Sequence, residues 1–335
     1  MKAHKQDRRQ FIRYFSAVPL VGTGLLSTIS RSAVAQSFDQ PITLVSPFAP
    51  GGSTDLVARA ISQPLSQALG VPVVVEDRLG ASGMIATHQV ARSTPDGRTL
   101  LITTSSTVVV LPHTNDTIPY DAQKDLVGIT LLGITPEVLA INPKTAAHNL
   151  KELIEIAKKR QVTLSSSGNG GLPHLVIELL KSTVPEANIL HVPYKAASPA
   201  VVDTVAGHVD GVFVDLPAVY KQIKGGTLRG IAVADKKRSV FLPDLPTTVE
   251  QGYHEVIGVN WTGVLVPTGT PQALIDKVFM TLTEVMKRPE VKMAMDASAV
   301  EVSLSASPAA FKDFMATEYE KWRMVVQKSG IKATH

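Results

Sequence analysis

Ser46-Pro47-Phe48-Ala49-Pro50-Gly51-Gly52-Ser53-Thr54-Asp55-Leu56-Val57-Ala58-Arg59 joins two unlike kinds of chain. Before it runs Ile42-Thr43-Leu44-Val45, a short strand of apolar and β-branched residues. After it, Val57, Ala60, Ile61, Pro64 and Ala68 fall at helical spacing and Gly70 follows as a stop, which predicts a helix over 54–69 with a kink at Pro64. Gly51 and Gly52 permit positive φ and a close approach of backbone to a ligand. Ser53 and Thr54 offer helix caps and hydroxyls. The free N–H groups of a first helical turn carry partial positive charge. The turn therefore reads either as an ordinary capped connection or as an anion site that needs no lysine or arginine.

The same design repeats outward. Val71–Val75 is the next strand, Gly80-Ala81-Ser82-Gly83 leads into a helix near 85–92, and 99–103 is a third strand, a βαβαβ start. Its continuous apolar strands predict a parallel sheet covered on both faces. The pattern restarts at Asn149-Leu150-Lys151-Glu152, which resembles a capping box. Strands follow at 163–166, 189–192, 209–214 and 228–234, with helices over 174–182 and 197–206. A strand near 259–266 and helices over 271–287 and 308–327 close the chain. Extended segments around 128–142 and 256–266 carry the chain between two α/β halves. The expected fold is thus α/β with two domains, 37–137 plus 258–335 and 138–257. Ligands of such sheets bind beyond the carboxyl ends of strands, here in the cleft between the domains.

Four loops at strand ends are rich in glycine and hydroxyls: 46–55, 80–83, Thr103-Thr104-Ser105-Ser106-Thr107 and Ser165-Ser166-Ser167-Gly168-Asn169-Gly170-Gly171. Together they suit a carboxylate. Asp215 ends the strand 209–214, so it either meets an amino or hydroxyl group of the ligand or caps the helix opened by Leu216-Pro217. His174 opens a helix and is a site candidate or a surface or capping histidine; Trp261 lines the cleft or packs the core. Enzyme motifs fail. Pro173 stands where a dinucleotide fingerprint needs its third glycine, and phosphate-loop, nucleophile-elbow and His-Glu-x-x-His patterns are absent. The 9 histidines are scattered and the cysteine count is 0, so neither a metal site nor a cofactor is expected.

The N-terminus changes the charge reading. Asp7-Arg8-Arg9-Gln10-Phe11-Ile12-Arg13, an apolar stretch over 15–29 and Ser32-Ala33-Val34-Ala35-Gln36 form an export signal over 1–36 of the twin-arginine kind. The alternative is a basic N-terminal helix of a cytosolic protein. The chain carries 33 Lys+Arg against 29 Asp+Glu. Without the leader's six bases and one acid the balance is 27 to 28, so no polybasic surface for nucleic acid or membrane remains.

Pro41 to Gly83, "PDGRTLLITTSS", "SSGNGGLPH", "HVPYKAASPA", "LPDLPTTVEQGY" and "VLVPTGTP", in this order, resemble the substrate-binding proteins of tripartite tricarboxylate transporters, the Bug family. The resemblance implies a periplasmic, non-enzymatic flytrap of the type II kind and a monomer. It would hand a small carboxylate to small and large integral membrane subunits driven by an ion gradient. It also implies a ligand held by main-chain N–H and hydroxyl groups from the loops around 47–55 and 166–174. Those loops contribute Phe48, Gly52, Ser53, Thr54, Asp55, Ser167, Gly168, Asn169 and His174, and the next loop adds Tyr194 and Ala196. Ser105 and Asp215 complete the expected ligand set. The sequence departs from the family at Val214-Asp215-Leu216-Pro217, where Asp-Asn is common before Leu-Pro, and at Ser82 and Met84, where Gly and Asn are common. A ligand-loaded sensor touching a receptor kinase is the alternative; a periplasmic enzyme is the third reading.

Overall fold

The computed structural model describes residues 38–329; the leader expected over 1–36 lies outside them. The first stretch of chain holds β1 (Ile42–Ser46), α1 (Ser53–Leu69), β2 (Val73–Asp77), α2 (Met84–Ala91) and β3 (Thr99–Thr104). Single helical turns α3 (Leu111–Thr114) and α4 (Ala122–Asp125) then lead into the long β4 (Leu126–Ile141). The middle stretch is α5 (Leu150–Ala157), β5 (Val162–Ser166), α6 (Leu172–Thr183), β6 (Ile189–Pro193), α7 (Ala197–Ala206), β7 (Gly211–Asp215), α8 (Leu216–Lys224) and β8 (Arg229–Val233). The last is β9 (Val259–Pro267), α9 (Gln272–Met286), α10 (Pro289–Ala297), β10 (Glu301–Val302) and α11 (Pro308–Ser329).

The strands form one sheet in the order β2-β1-β3-β9-β4-β7-β5-β6, with β8 and β10 also on β4. Each end is parallel, β2-β1-β3 and β7-β5-β6, with the inner strands β1, β3, β5 and β7 mostly buried. The middle is not: β9 runs antiparallel to β3 and β4, and β4 antiparallel to β7. The parallel pairing expected of the βαβαβ start is found in β2-β1-β3, and the sheet as a whole is mixed. β4 takes the chain from the first lobe to the second and β9 brings it back, so the two crossing strands must oppose each other.

The hand-over is visible in register. β4 pairs with β9 as far as Pro136, opposite Val259. From Glu137 it pairs with β7, and from Val138 with β8. α1 fills the first lobe with Val57, Ala58, Ile61 and Leu65, runs through the buried Pro64 and ends on left-handed Gly70, whose N–H bonds Ser66 O. Asn149 caps α5 as expected, accepting from Glu152 N at 2.9 Å. Trp261 is core: it meets Phe311 and Phe314 edge-on at 5.6 and 5.9 Å.

Candidate functional site

The carboxyl ends of β1, β5, β6 and β7 each turn into a helix, α1, α6, α7 and α8, and these starts face one cavity between the lobes. Phe48, Ala49, Gly52, Ser53, Thr54, Thr104, Ser106 and Asn260 line one side, and Glu137, Ser167, Pro173, Ala197 and Asp215 the other. About 40 Å³ of it is open to the centres of water molecules, room for a few waters at ~10–15 Å³ each. The lobes are closed on each other. Ser82 Oγ donates to Asn169 O at 2.8 Å, Ser198 Oγ to Pro50 O at 2.7 Å and Thr114 Oγ1 to Gly170 O at 2.6 Å.

The first loop differs from expectation at its glycines. Gly51 alone takes positive φ, at 95°. Gly52 is the extended N-cap of α1 at φ −87°, and a Cβ there would point into open space. Neither Ser53 nor Thr54 caps the helix; both are buried in its first turn against the cavity. Asp55 is turned back on its own loop, accepting from Gly51 N at 3.0 Å and from Arg59 Nε at 2.6 Å. It stands outside the lining.

After β3 the chain enters a helical turn at once, so successive residues no longer alternate between faces. Ser105 is buried behind the wall, donating to Asn260 Oδ1 at 2.6 Å. Its neighbour Ser106 faces the cavity and accepts from Leu172 N at 3.1 Å. Ser167 lines the cavity, while Gly168 and Asn169 pass over Ser82. His174 lies beneath that loop: Nδ1 accepts from Gly170 N at 2.9 Å, and the ring stacks on His191 at 4.0 Å. Burial, reinforced by His174, pushes the His191 pKa down to about 3, so the stack holds one neutral ring as scaffold. Tyr194 donates to Asp203 at 2.6 Å and does not reach the cavity. Ala196 is the buried N-cap of α7, and the next residue, Ala197, does the lining.

Asp215 resolves its alternatives in an unexpected way. It occupies the N-cap position of α8 yet makes no side-chain cap bond. Its Oδ2 instead accepts from Ser53 N of the other lobe at 3.1 Å. Opposite it in the β4–β7 register sits Glu137, which the sequence reading passed over. Glu137 is fully buried, and neither carboxyl oxygen has a hydrogen-bond partner. Burial and the neighbouring Asp215 hold its pKa well above the usual carboxylate range; burial also raises that of Asp215. One signal was available: Glu137 is the sole charge in the 16-residue strand LVGITLLGITPEVLAI.

No group of histidine, cysteine and acid side chains fit to hold a metal occurs among the described residues. No helix among them is long and apolar enough to cross a membrane. The lining offers main-chain N–H groups, hydroxyls, one amide and two carboxyls, and no cationic side chain.

Residues 57–331 match the model of the tripartite tricarboxylate transporter family receptor. Protein BugT of Bordetella pertussis is 36% identical over 296 residues, covering 88% of this chain and 90% of its own. The structure of periplasmic binding protein BugD superposes with a TM-score of 0.82 at 32% identity, over 88% of this chain and 99% of that one. MatC from Rhodopseudomonas palustris, solved with bound malate, gives a TM-score of 0.81 at 26% identity, covering 86% and 99%.

Proposed function

This chain belongs to the tripartite tricarboxylate transporter receptor family, and from that premise we propose that it captures a small carboxylate in the periplasm and delivers it to the transporter's membrane subunits. The observation that carries the reading is the cavity itself: several helix starts converge on it, with hydroxyls between them and no lysine or arginine. Such starts hold anions through main-chain N–H groups. Each charge-assisted hydrogen bond contributes about 1.5–3 kcal/mol. A handful of them, less the entropy of association, supports micromolar binding, about −8 kcal/mol. The malate held by MatC is a ligand of this chemical kind. The expected leader supplies the route out of the cytoplasm, and small and large integral membrane components are the partners.

Gly52→Val tests the reading with little strain, because φ is already negative there and a Cβ meets no atom within 4 Å. The branched side chain enters the cavity. Calorimetry with a panel of small carboxylates should show a binder whose affinity falls at least about tenfold, 1.4 kcal/mol, in the variant. Unchanged affinity in a folded variant would remove this loop from the site.

A further inference from the structure

We propose that Glu137 and Asp215 form a paired acidic floor for a cationic group, so that the ligand is a zwitterion: a small carboxylic acid that also bears a protonated amine. The inference rests on the carboxylate reading and adds the other end of the molecule.

Glu137 lines the cavity, is fully buried, and both its carboxyl oxygens lack a partner. Buried polar atoms are nearly always hydrogen-bonded, and leaving one unpaired costs about 1–3 kcal/mol. Its backbone is fully engaged, with N–H bonded to Gly258 O and the carbonyl accepting from Ala234 N, both at 2.8 Å. The strand therefore holds the carboxyl where it is. Asp215 is the register neighbour on β7, and side chains directly opposite on adjacent strands share a face. Asp215 takes Ser53 N, and both Glu137 oxygens remain without a partner.

The lining holds no cation to answer these two acids, and they are its only titratable side chains. A second carboxylate from a plain diacid could be accommodated there only while both acids kept their protons, and any ionised acid of the pair would repel it at low dielectric. An ammonium satisfies both acids, while the ligand carboxylate turns toward the helix start at Ala197 and the hydroxyls of Thr54 and Ser167. Burial and Asp215 raise the Glu137 pKa well above the usual carboxylate range, which favours its protonated form in the empty cavity. The arriving ammonium then favours the ionised form, and the proton leaves Glu137 for solvent. A plain acid would leave that proton in place.

Matched pairs test this by calorimetry near neutral pH, each in two buffers of different ionisation enthalpy: succinate and L-aspartate, glutarate and L-glutamate, butyrate and 4-aminobutyrate. In at least one pair the amino member should bind about tenfold or more tightly than its plain partner, releasing up to about one proton. Glu137→Gln should level that pair and abolish the release. Asp215→Asn, which keeps an acceptor for Ser53 N, should narrow the preference and serves if the first variant does not fold. Plain acids binding as tightly as their amino partners in every pair overturns the proposal, as does an amino preference unchanged in a folded Glu137→Gln. If no acid of any pair binds, the carboxylate reading fails and this inference falls with it; plain acids binding best sinks the inference alone.

Discussion

Glu137 should weaken the unliganded fold in a pH-dependent way. Its folded pKa lies above the unfolded value of about 4.3, so the folded protein keeps a proton that the unfolded chain sheds. The stability this provides is fully present below about pH 4.3 and is lost as pH rises toward the folded pKa; the shift at Asp215 has the same sign. Glu137→Gln removes the larger dependence. The variant should therefore melt higher than the parent at pH 8, and the gap should close as pH falls toward 4. A constant gap across that range would mean that Glu137 titrates alike in both states. Asp215 was legible in sequence because it ends an apolar strand. Its partner, Ser53 N, was not, because 162 residues of chain separate the two.

At the scale of elements, the β1–α1 connection does two jobs with two glycines. Gly51 supplies the left-handed turn and Gly52 the open approach to the cavity. A Cβ on Gly51 would stand 2.9 Å from Ser198 Oγ, the hydroxyl that bonds Pro50 O across the cleft. Gly51→Ala should thus cost about 1–2 kcal/mol for the left-handed backbone and, separately, loosen the closed cleft. Adding Ser198→Ala relieves the crowding and not the backbone strain. Ligand affinity should recover in part in the double variant, while the denaturation midpoint stays low. Full recovery of both would show that the turn itself is unstrained. The elements were mostly readable, since β-branched runs, helical spacing and Gly70 mark their own ends. The helical turn after β3, Ser106-Thr107-Val108-Val109-Val110, was not, because its β-branched run from Thr107 to Val110 gives no helical signal. That turn exchanged Ser105 for Ser106 at the cavity wall.

For the whole molecule, we place the hinge where β4 changes partners, at Pro136–Glu137, and where β9 begins, at Gly258–Val259. The closed cleft leaves little room for a ligand to enter, and opening and shutting about those two crossings is the expected motion. Small-angle scattering should give a smaller radius of gyration with saturating ligand than without. An identical radius would mean that the continuous sheet holds the lobes rigid.

The sequence by itself determined the α/β class, the succession of strand, glycine loop and helix, and the family. These follow from local periodicity, turn chemistry and ordered motifs, each contained in a few tens of residues at most. Only the tertiary structure decided which loop residues face the cavity, that the sheet is mixed, and that Glu137 stands beside Asp215. Those facts depend on register between strands distant in sequence, where a shift of one residue turns each side chain to the opposite face. A lone acid in an apolar strand could be noticed in the sequence, but only the pairing of β4 with β7 supplied its neighbour.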